Sequence, residues 1–320
     1  MRPRYVDTGA RDTRSGFGAG LVEAAQKDGR IVALAADLMS SVKMDEFARL
    51  FPERFFQAGV AEANMIGVAA GLATVGWIPF VGTFANFAAG RAYDQLRQSV
   101  CYSGKNVKIA ASHAGLTLGE DGATHQMLED IGLMRGLPGM TVICPCDYNQ
   151  TRLATLAAAQ WEGPVYLRFG RPPVPNFTPP EDPTFEIGKA QVLLTGRDAV
   201  IFATGHMVWQ ALQAAYALEE EGLEVAVINL HTLKPVDTET VVEWLSRTPV
   251  AITAEEHQVH NGLGDIISGI ACRYCPRWVY RVAVQDTFGE SGKPSELLAK
   301  YGLTAAHIAQ AVRQALARVG

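Results

Sequence analysis

Apolar runs of strand length alternate with stretches of helical spacing along most of the chain. "RIVALAAD" (residues 30–37), "IPFVGT" (78–83), "VKIAAS" (107–112), "MTVICP" (140–145) and "VYLRF" (165–169) are continuously apolar rather than alternating. That pattern predicts strands buried on both faces, as in a mostly parallel sheet with helices on either side. Residues 170–188, "GRPPVPNFTPPEDPTFEIG", hold six prolines, which forbid helix and predict an extended linker. Beyond it the alternation restarts with "AVIFATG", a helix through "WQALQAAYALEEEG", "LEVAVINL", a helix near "TETVVEWLS", and "VAITAEE". A helix near "LGDIISGIAC", the strand "VYRVAVQ" and two closing helices complete a second, smaller unit. The predicted organisation is α/β throughout: two doubly wound domains with mostly parallel sheets, residues 1–171 and 189–320, joined by the linker 172–188.

Composition narrows the class. With 320 residues and 48% hydrophobic content, the chain has enough apolar surface for two cores. A net charge of −5 with both signs interspersed offers no basic stripe for nucleic acid, so the expected ligand is a small molecule or a protein. The N-terminal residues lack a signal-like apolar core and no window reaches membrane-span length, so no membrane contact and a cytoplasmic location are expected. Five cysteines argue against a disulfide framework. Cys144 with Cys146 and Cys272 with Cys275 have the count for a zinc site, but the pairs fall in different domains, and small core residues are the simpler reading.

In open α/β sheets ligands sit beyond the carboxyl ends of strands. The densest polar cluster, "SHAGLTLGEDGATHQ" (112–126), follows such a strand and holds His113, Glu120, Asp121, His125 and Gln126 among glycines that let a loop fold back over a ligand. Two weaker signals fail on context. Asp121-Gly122 with distant Asn149 lacks the leading glycine and direct strand of a magnesium-diphosphate motif, and "GFGAG" (16–20) follows no strand as a dinucleotide loop would. Glu62 stands out for another reason. It opens "EANMIGVAAGLA", a helix otherwise built of small and apolar residues, where a carboxylate either serves the helix start or has chemical work.

Three motifs in order, "GVAEANMIGVAAGLA" (59–73), "GTFANF" (82–87) and "GLTLGEDGATHQ" (115–126), with "RFGRP" (168–172) closing the domain, resemble the pyrimidine-binding domain of the transketolase family. The second half is similar to the transketolase C-terminal domain. The resemblance covers essentially the whole chain and implies the C-terminal subunit of a split transketolase, since the family's diphosphate-binding domain lies outside this sequence. It implies thiamin diphosphate as cofactor, with Mg²⁺ or Ca²⁺ held by an N-terminal partner subunit, and a heterotetramer with two copies of each chain.

Carried over position by position, the resemblance implies that Glu62 hydrogen-bonds a nitrogen of the cofactor's aminopyrimidine and shares a proton with it. Phe84 and Phe87 match the aromatic wall against that ring, with Gly90 where the family often has a third aromatic. Asp37 matches an acid near the cofactor. His113 and His125 match the histidines that serve the sugar, and Asp121 the acid that selects a hydroxyl configuration. Arg14, Ser41 and Arg168 match phosphate-contacting positions, and Arg91 in "RAYDQ" resembles a 1-deoxyxylulose-phosphate synthase arginine. His257 and His260 are read as subunit contacts. The implied activity is transfer of a two-carbon ketol unit between phosphorylated sugars. Alternatives are a split 1-deoxyxylulose-phosphate synthase, an enzyme for an unusual phosphorylated or sulfonated sugar, a 2-oxo acid dehydrogenase β subunit, and a non-catalytic assembly subunit.

Overall fold

The structure, a computed structural model, describes residues 4–319. The first half runs β1 (Arg11–Asp12), α1 (Thr13–Lys27), β2 (Ile31–Ala35), α2 (Asp45–Leu50), β3 (Phe55–Gln57), α3 (Glu62–Thr74), β4 (Ile78–Phe84), α4 (Tyr93–Gln95), β5 (Lys108–Ser112), α5 (Asp130–Arg135), β6 (Thr141–Ile143), α6 (Tyr148–Gln160) and β7 (Val165–Arg168). The second half adds β8 (Pro173–Val174), β9 (Gln191–Leu194), β10 (Ala199–Ala203), α7 (Met207–Glu220), β11 (Val225–Asn229), β12 (Thr232–Lys234), α8 (Thr238–Arg247), β13 (Val250–Gln258), α9 (Leu263–Tyr274), β14 (Trp278–Val284), α10 (Pro294–Lys300) and α11 (Ala305–Val319).

Two mostly parallel sheets result. The larger has seven strands in the order β12-β6-β7-β5-β4-β2-β3, and the smaller five in the order β14-β13-β10-β11-β9. Every residue of β2, β4, β5 and β7 is buried, the outcome expected of continuous apolar runs covered on both faces. One connection was not foreseen. β12 leaves the second half and pairs antiparallel with β6, Thr232 opposite Ile143, so the two halves share a sheet. One apolar cluster accordingly runs from Val32 and Met65 through Val142 to Phe202 and Leu263.

The proline-rich connection is extended as expected, yet it is packed rather than loose. β8 pairs antiparallel with β1, and the buried Asp147 carboxylate accepts from the amides of Phe177 and Thr178 and from the Thr178 hydroxyl. The glycines of "GFGAG" serve close helix packing: a Cβ at Gly16 would overlap the Tyr148 carbonyl oxygen of α6, and one at Gly18 would overlap that of Lys43. Cys144 and Cys146 are buried as read, whereas Cys272 is exposed at the solvent side of α9 and so departs from the core reading. Among the described residues no helix is long and apolar enough to cross a membrane.

The strand order brings the carboxyl ends of β3, β2, β4, β5 and β7 to one edge. Phe84 pairs with Ser112 and Ala111 with Arg168, so the segments after these strands are neighbours although they are far apart in the chain. Glycine substitutions test the packing. Gly16→Ala should destabilise by about 1–3 kcal/mol through overpacking. Gly67→Ala, where an added Cβ meets nothing within 4 Å, should stabilise the isolated chain by about 0.5–1 kcal/mol through helix entropy. Chemical denaturation of the two variants checks both signs.

Candidate active site

Glu62 is 4% exposed at the first position of α3. The helix N-cap is Ala61, which makes no side-chain cap hydrogen bond, and the Glu62 carboxylate faces another element. Arg91 Nη1 donates to Glu62 Oε1 at 2.9 Å from the π-helical turn Phe87–Arg91. The Arg91 guanidinium lies 4.0 Å from the Phe87 ring centroid, a cation–π geometry. Arg91, expected to face a sugar, is thus the counter-ion of Glu62 in this chain.

The two phenylalanines expected to face the cofactor are brought together. Phe84 and Phe87 stack at 5.5 Å and 15°, and the His113 ring lies 3.7 Å from Phe84 at 24°. His125 meets Phe87 edge-on at 5.4 Å. Arg91, Phe87, Phe84 and His113 therefore make one stack, with His125 on its flank and Glu62 at its end. A π-helical turn supplies this geometry at the close of β4, and such turns recur at functional sites.

His113 occupies the left-handed region with φ 60°, a conformation that side chains of this kind adopt at some energetic cost. Its Nδ1 shares a 2.6 Å hydrogen bond with Ser112 Oγ. Burial, then the positive charges of Arg14 and Arg171, push its pKa down to about 3. The imidazole is neutral at physiological pH and available both to donate and to accept. Arg14 of α1 and Arg171 of the segment after β7 are near enough for their charges to act on this ring.

Arg14 is anchored by donation of Nη1 to Ser41 O at 3.0 Å and by Asp12, 3.3 Å from its Nε. Ser41 contributes its backbone carbonyl to that contact. Arg171 donates to Leu118 O at 2.8 Å and to Glu120 at 3.2 Å, and its side chain is 39% exposed. Arg14 and Arg171 are guanidinium groups at this edge that keep some access to water, and guanidinium groups suit anions such as phosphate or sulfonate. Arg168 does not share this role. It is 5% exposed and donates Nε to both Asp130 carboxylate oxygens at 2.9–3.0 Å and Nη2 to Glu256 O at 2.9 Å. Arg168, expected among the phosphate contacts, is instead committed to this buried network. Arg168 still belongs to β7, whose residues are all covered, whereas Arg171 follows Gly170 past the sheet edge, where ligands sit.

Asp121 is exposed on the loop after β5, and Asp37 is exposed with φ 61° just beyond β2. The Asp37 amide donates to Gln57 Oε1 at 2.6 Å. Both stand on the same edge as the stack. His257 is buried with Nδ1 against Gln258 O, so it is no subunit contact as it stands. His260 is exposed and lines a cleft of about 520 Å³ with Leu133 and Phe288. That cleft contains none of Glu62, Phe84, Phe87, His113 or Arg171. The stack lies instead on an open face beside the exposed Val60, Val68 and Val75 of the α3 region.

On this α/β fold one edge gathers two stacked phenylalanines, two histidines and a buried carboxylate. Residues 9–176 match the family model "Transketolase, pyrimidine binding domain" and residues 188–308 the model "Transketolase, C-terminal domain". The chain belongs to the transketolase family and corresponds to its C-terminal section. It is 44% identical over 303 residues to a protein of Methanocaldococcus jannaschii called "Putative transketolase C-terminal section", covering 94% of this chain and 95% of that one. It is 45% identical over 318 residues to a 6-deoxy-6-sulfo-D-fructose transketolase subunit of a Clostridium species, covering 99% and 95%. A solved structure described as "Split gene transketolase, inactive beta4 tetramer" superposes with TM-score 0.90 at 49% identity, covering 97% of this chain and 99% of that chain.

Histidine burial sets an acid limit. His206, His231 and His257 are each pushed down to about 4 by burial, and with His113 they refuse protons that the unfolded chain accepts at about 6.5. Stability is therefore lost as pH falls from about 6.5 towards 4, with a slope of up to about 1.4 kcal/mol per pH unit for each imidazole. Glu255, pushed up to about 7 by burial, acts oppositely: the folded chain holds its proton, so stability declines as pH rises from the unfolded carboxyl value towards 7. Glu256 is raised by burial in the same sense. Four imidazoles against these two carboxyls predict a net fall in denaturation midpoint between pH 6.5 and 4.5. NMR should show no titration of His113 between pH 8 and 5; a midpoint near 6.5 would contradict the site's electrostatics.

Proposed function

We propose that the chain is the C-terminal subunit of a thiamin diphosphate-dependent transketolase that moves a two-carbon ketol unit between phosphorylated sugars, with an N-terminal partner subunit completing the active site. The observation that carries this reading is the gathering of Glu62, Arg91, Phe87, Phe84, His113 and His125 at one sheet edge. A planar aminopyrimidine would take the place that the half-exposed Arg91 guanidinium holds over the Phe87 ring, where offset stacking contributes about 0.5–1.5 kcal/mol. When bound, the cofactor supplies a nucleophilic carbon and an electron sink for the carbon–carbon bond that breaks.

This chain's residues do the rest. Glu62 holds or gives a proton at a ring nitrogen, which requires Arg91 to share or release the carboxylate. His113 and His125 donate to and accept from the sugar's hydroxyl and carbonyl groups, with His125 the more accessible of the two. Asp121 orients a hydroxyl, Asp37 supports the cofactor's surroundings, and Arg14 with Arg171 binds the charged tail. Mg²⁺ or Ca²⁺ belongs to the partner in this reading. A two-plus-two heterotetramer follows if both halves obey one twofold axis.

The face offered to that partner is the outer side of α3. Val60, Asn64, Gly67, Val68, Gly71 and Val75 are exposed, and neither Gly67 nor Gly71 is required by a neighbour within this chain. Glycine there carries an entropic cost that close approach of another backbone would explain. A second reading concerns the tail: two guanidinium groups suit a sulfonate as well as a phosphate, and a relative is a sulfosugar transketolase subunit.

Ketol transfer from xylulose 5-phosphate to ribose 5-phosphate, measured with thiamin diphosphate and Mg²⁺, should occur with the partner present and not with this chain alone. Glu62→Gln should lower kcat by about 10²–10⁴-fold. Arg171→Ala should raise KM by about tenfold or more. An assembled, cofactor-loaded complex inactive on phosphorylated sugars but active on sulfonated ones would replace the phosphate assignment; inactivity on both would overturn the function. Gly67→Leu should weaken co-elution of the two subunits in size-exclusion chromatography, and unchanged assembly would remove α3 from the interface.

A further inference from the structure

The loop that carries Asp121 and His125 is held from its far side by the second half of the chain. Its entry is tied by Gly115 N–H donating to Met127 O at 2.9 Å. Within it, the Gln126 side chain is turned inward, 5% exposed. Its Nε2 donates to Leu116 O at 3.1 Å, to Gly119 O at 3.2 Å and to Glu290 O at 2.9 Å. The first two acceptors close the loop on itself, and the third binds it to the segment after β14.

A second anchor comes from β13. Glu256, also 5% exposed, accepts from the Thr117 amide through Oε1 at 2.6 Å, while its backbone carbonyl accepts from Arg168. The surrounding backbone is shaped to admit these two side chains. Gly115 has φ 88°, and a Cβ on it would overlap the Glu256 carboxylate. A Cβ on Gly289 would overlap Gln126 Oε1, and one on Gly122 would lie 2.6 Å from Ser291 Oγ. The fit is mutual: a loop of the first half and a segment of the second have no spare volume between them.

We infer that Gln126 and Glu256 are positioning residues, through which the second half of the chain fixes the substrate loop and thereby sets the enzyme's affinity for its sugar. Neither acts on the reacting atoms. Gln126 spans the loop between His125 and Leu116, and Glu256 fixes the turn that leads from His113. The kinetic part of this inference rests on the function proposed above; the structural part does not.

The test separates them. Gln126→Glu keeps the side-chain volume and removes every donor, Glu256→Leu removes the acceptor, and Glu256→Gln keeps it. Hydrogen exchange of the isolated chain reads the loop directly. Gln126→Glu and Glu256→Leu should speed amide exchange across residues 116–122 by about tenfold or more, with the amides of β10 unchanged, whereas Glu256→Gln should match the parent protein. In the assembled enzyme the first two variants should raise KM for the ketose phosphate by about tenfold, with kcat within about threefold, and thiamin diphosphate affinity unchanged. Loop exchange unaltered in both variants would overturn the inference, as would faster exchange with KM unchanged. If the parent complex shows no ketol transfer at all, the functional reading falls, and the exchange data alone decide whether the loop is braced.

Discussion

The larger sheet's working edge depends on an ion pair almost sealed from water. Arg168 and Asp130 have side chains 6% and 0% exposed, and Tyr166 donates its hydroxyl to the same carboxylate at 2.9 Å. The remaining Arg168 donors reach Met127 O and Glu256 O. One guanidinium thus ties β7, the start of α5, the end of the substrate loop and β13 of the other sheet. Removing one partner of such a pair costs about 3–5 kcal/mol, because the other charge is left buried without compensation. The pair fixes which segments meet at the edge, and so the relative placement of His113, His125 and Arg171.

On that scaffold the site separates two kinds of electrostatic task. Arg14 and Arg171 lie at the rim, where they keep partial access to water. Burial, reinforced by their charges, keeps His113 neutral. The carboxylate of Glu62 lies deeper and is matched by a single arginine that is itself half exposed, 52% against 5% for Glu62. A buried acid so paired is not left uncompensated.

Much of this was legible in the sequence, for physical reasons that differ from residue to residue. Continuous apolar runs identified the parallel strands because burial on both faces leaves no room for alternation. Glu62 stood out because it is a lone carboxylate in a glycine- and alanine-rich helix; the fold adds that it lies in the first turn, where the helix dipole favours an acid, and is paired with Arg91. The burial of Arg168 was not legible because a strand and the loop that continues it share a sequence but not an environment, and nothing local marks where the sheet ends. β12 was missed because three residues of an edge strand carry no periodicity. Glu256 and Gln126 were not assignable at all: their partners lie 139 and 164 residues away, and only the fold makes them neighbours.

The central claim is that this chain holds half of a cofactor site. Calorimetric titration with thiamin diphosphate and Mg²⁺ tests it most directly, on the chain alone, on its complex with the N-terminal subunit, and on the complex carrying Glu62→Ala. The account predicts no binding to the isolated chain, one cofactor per copy of the chain in the complex, and weaker binding in the variant. Stoichiometric binding by the isolated chain, or a complex whose affinity ignores Glu62, would contradict it.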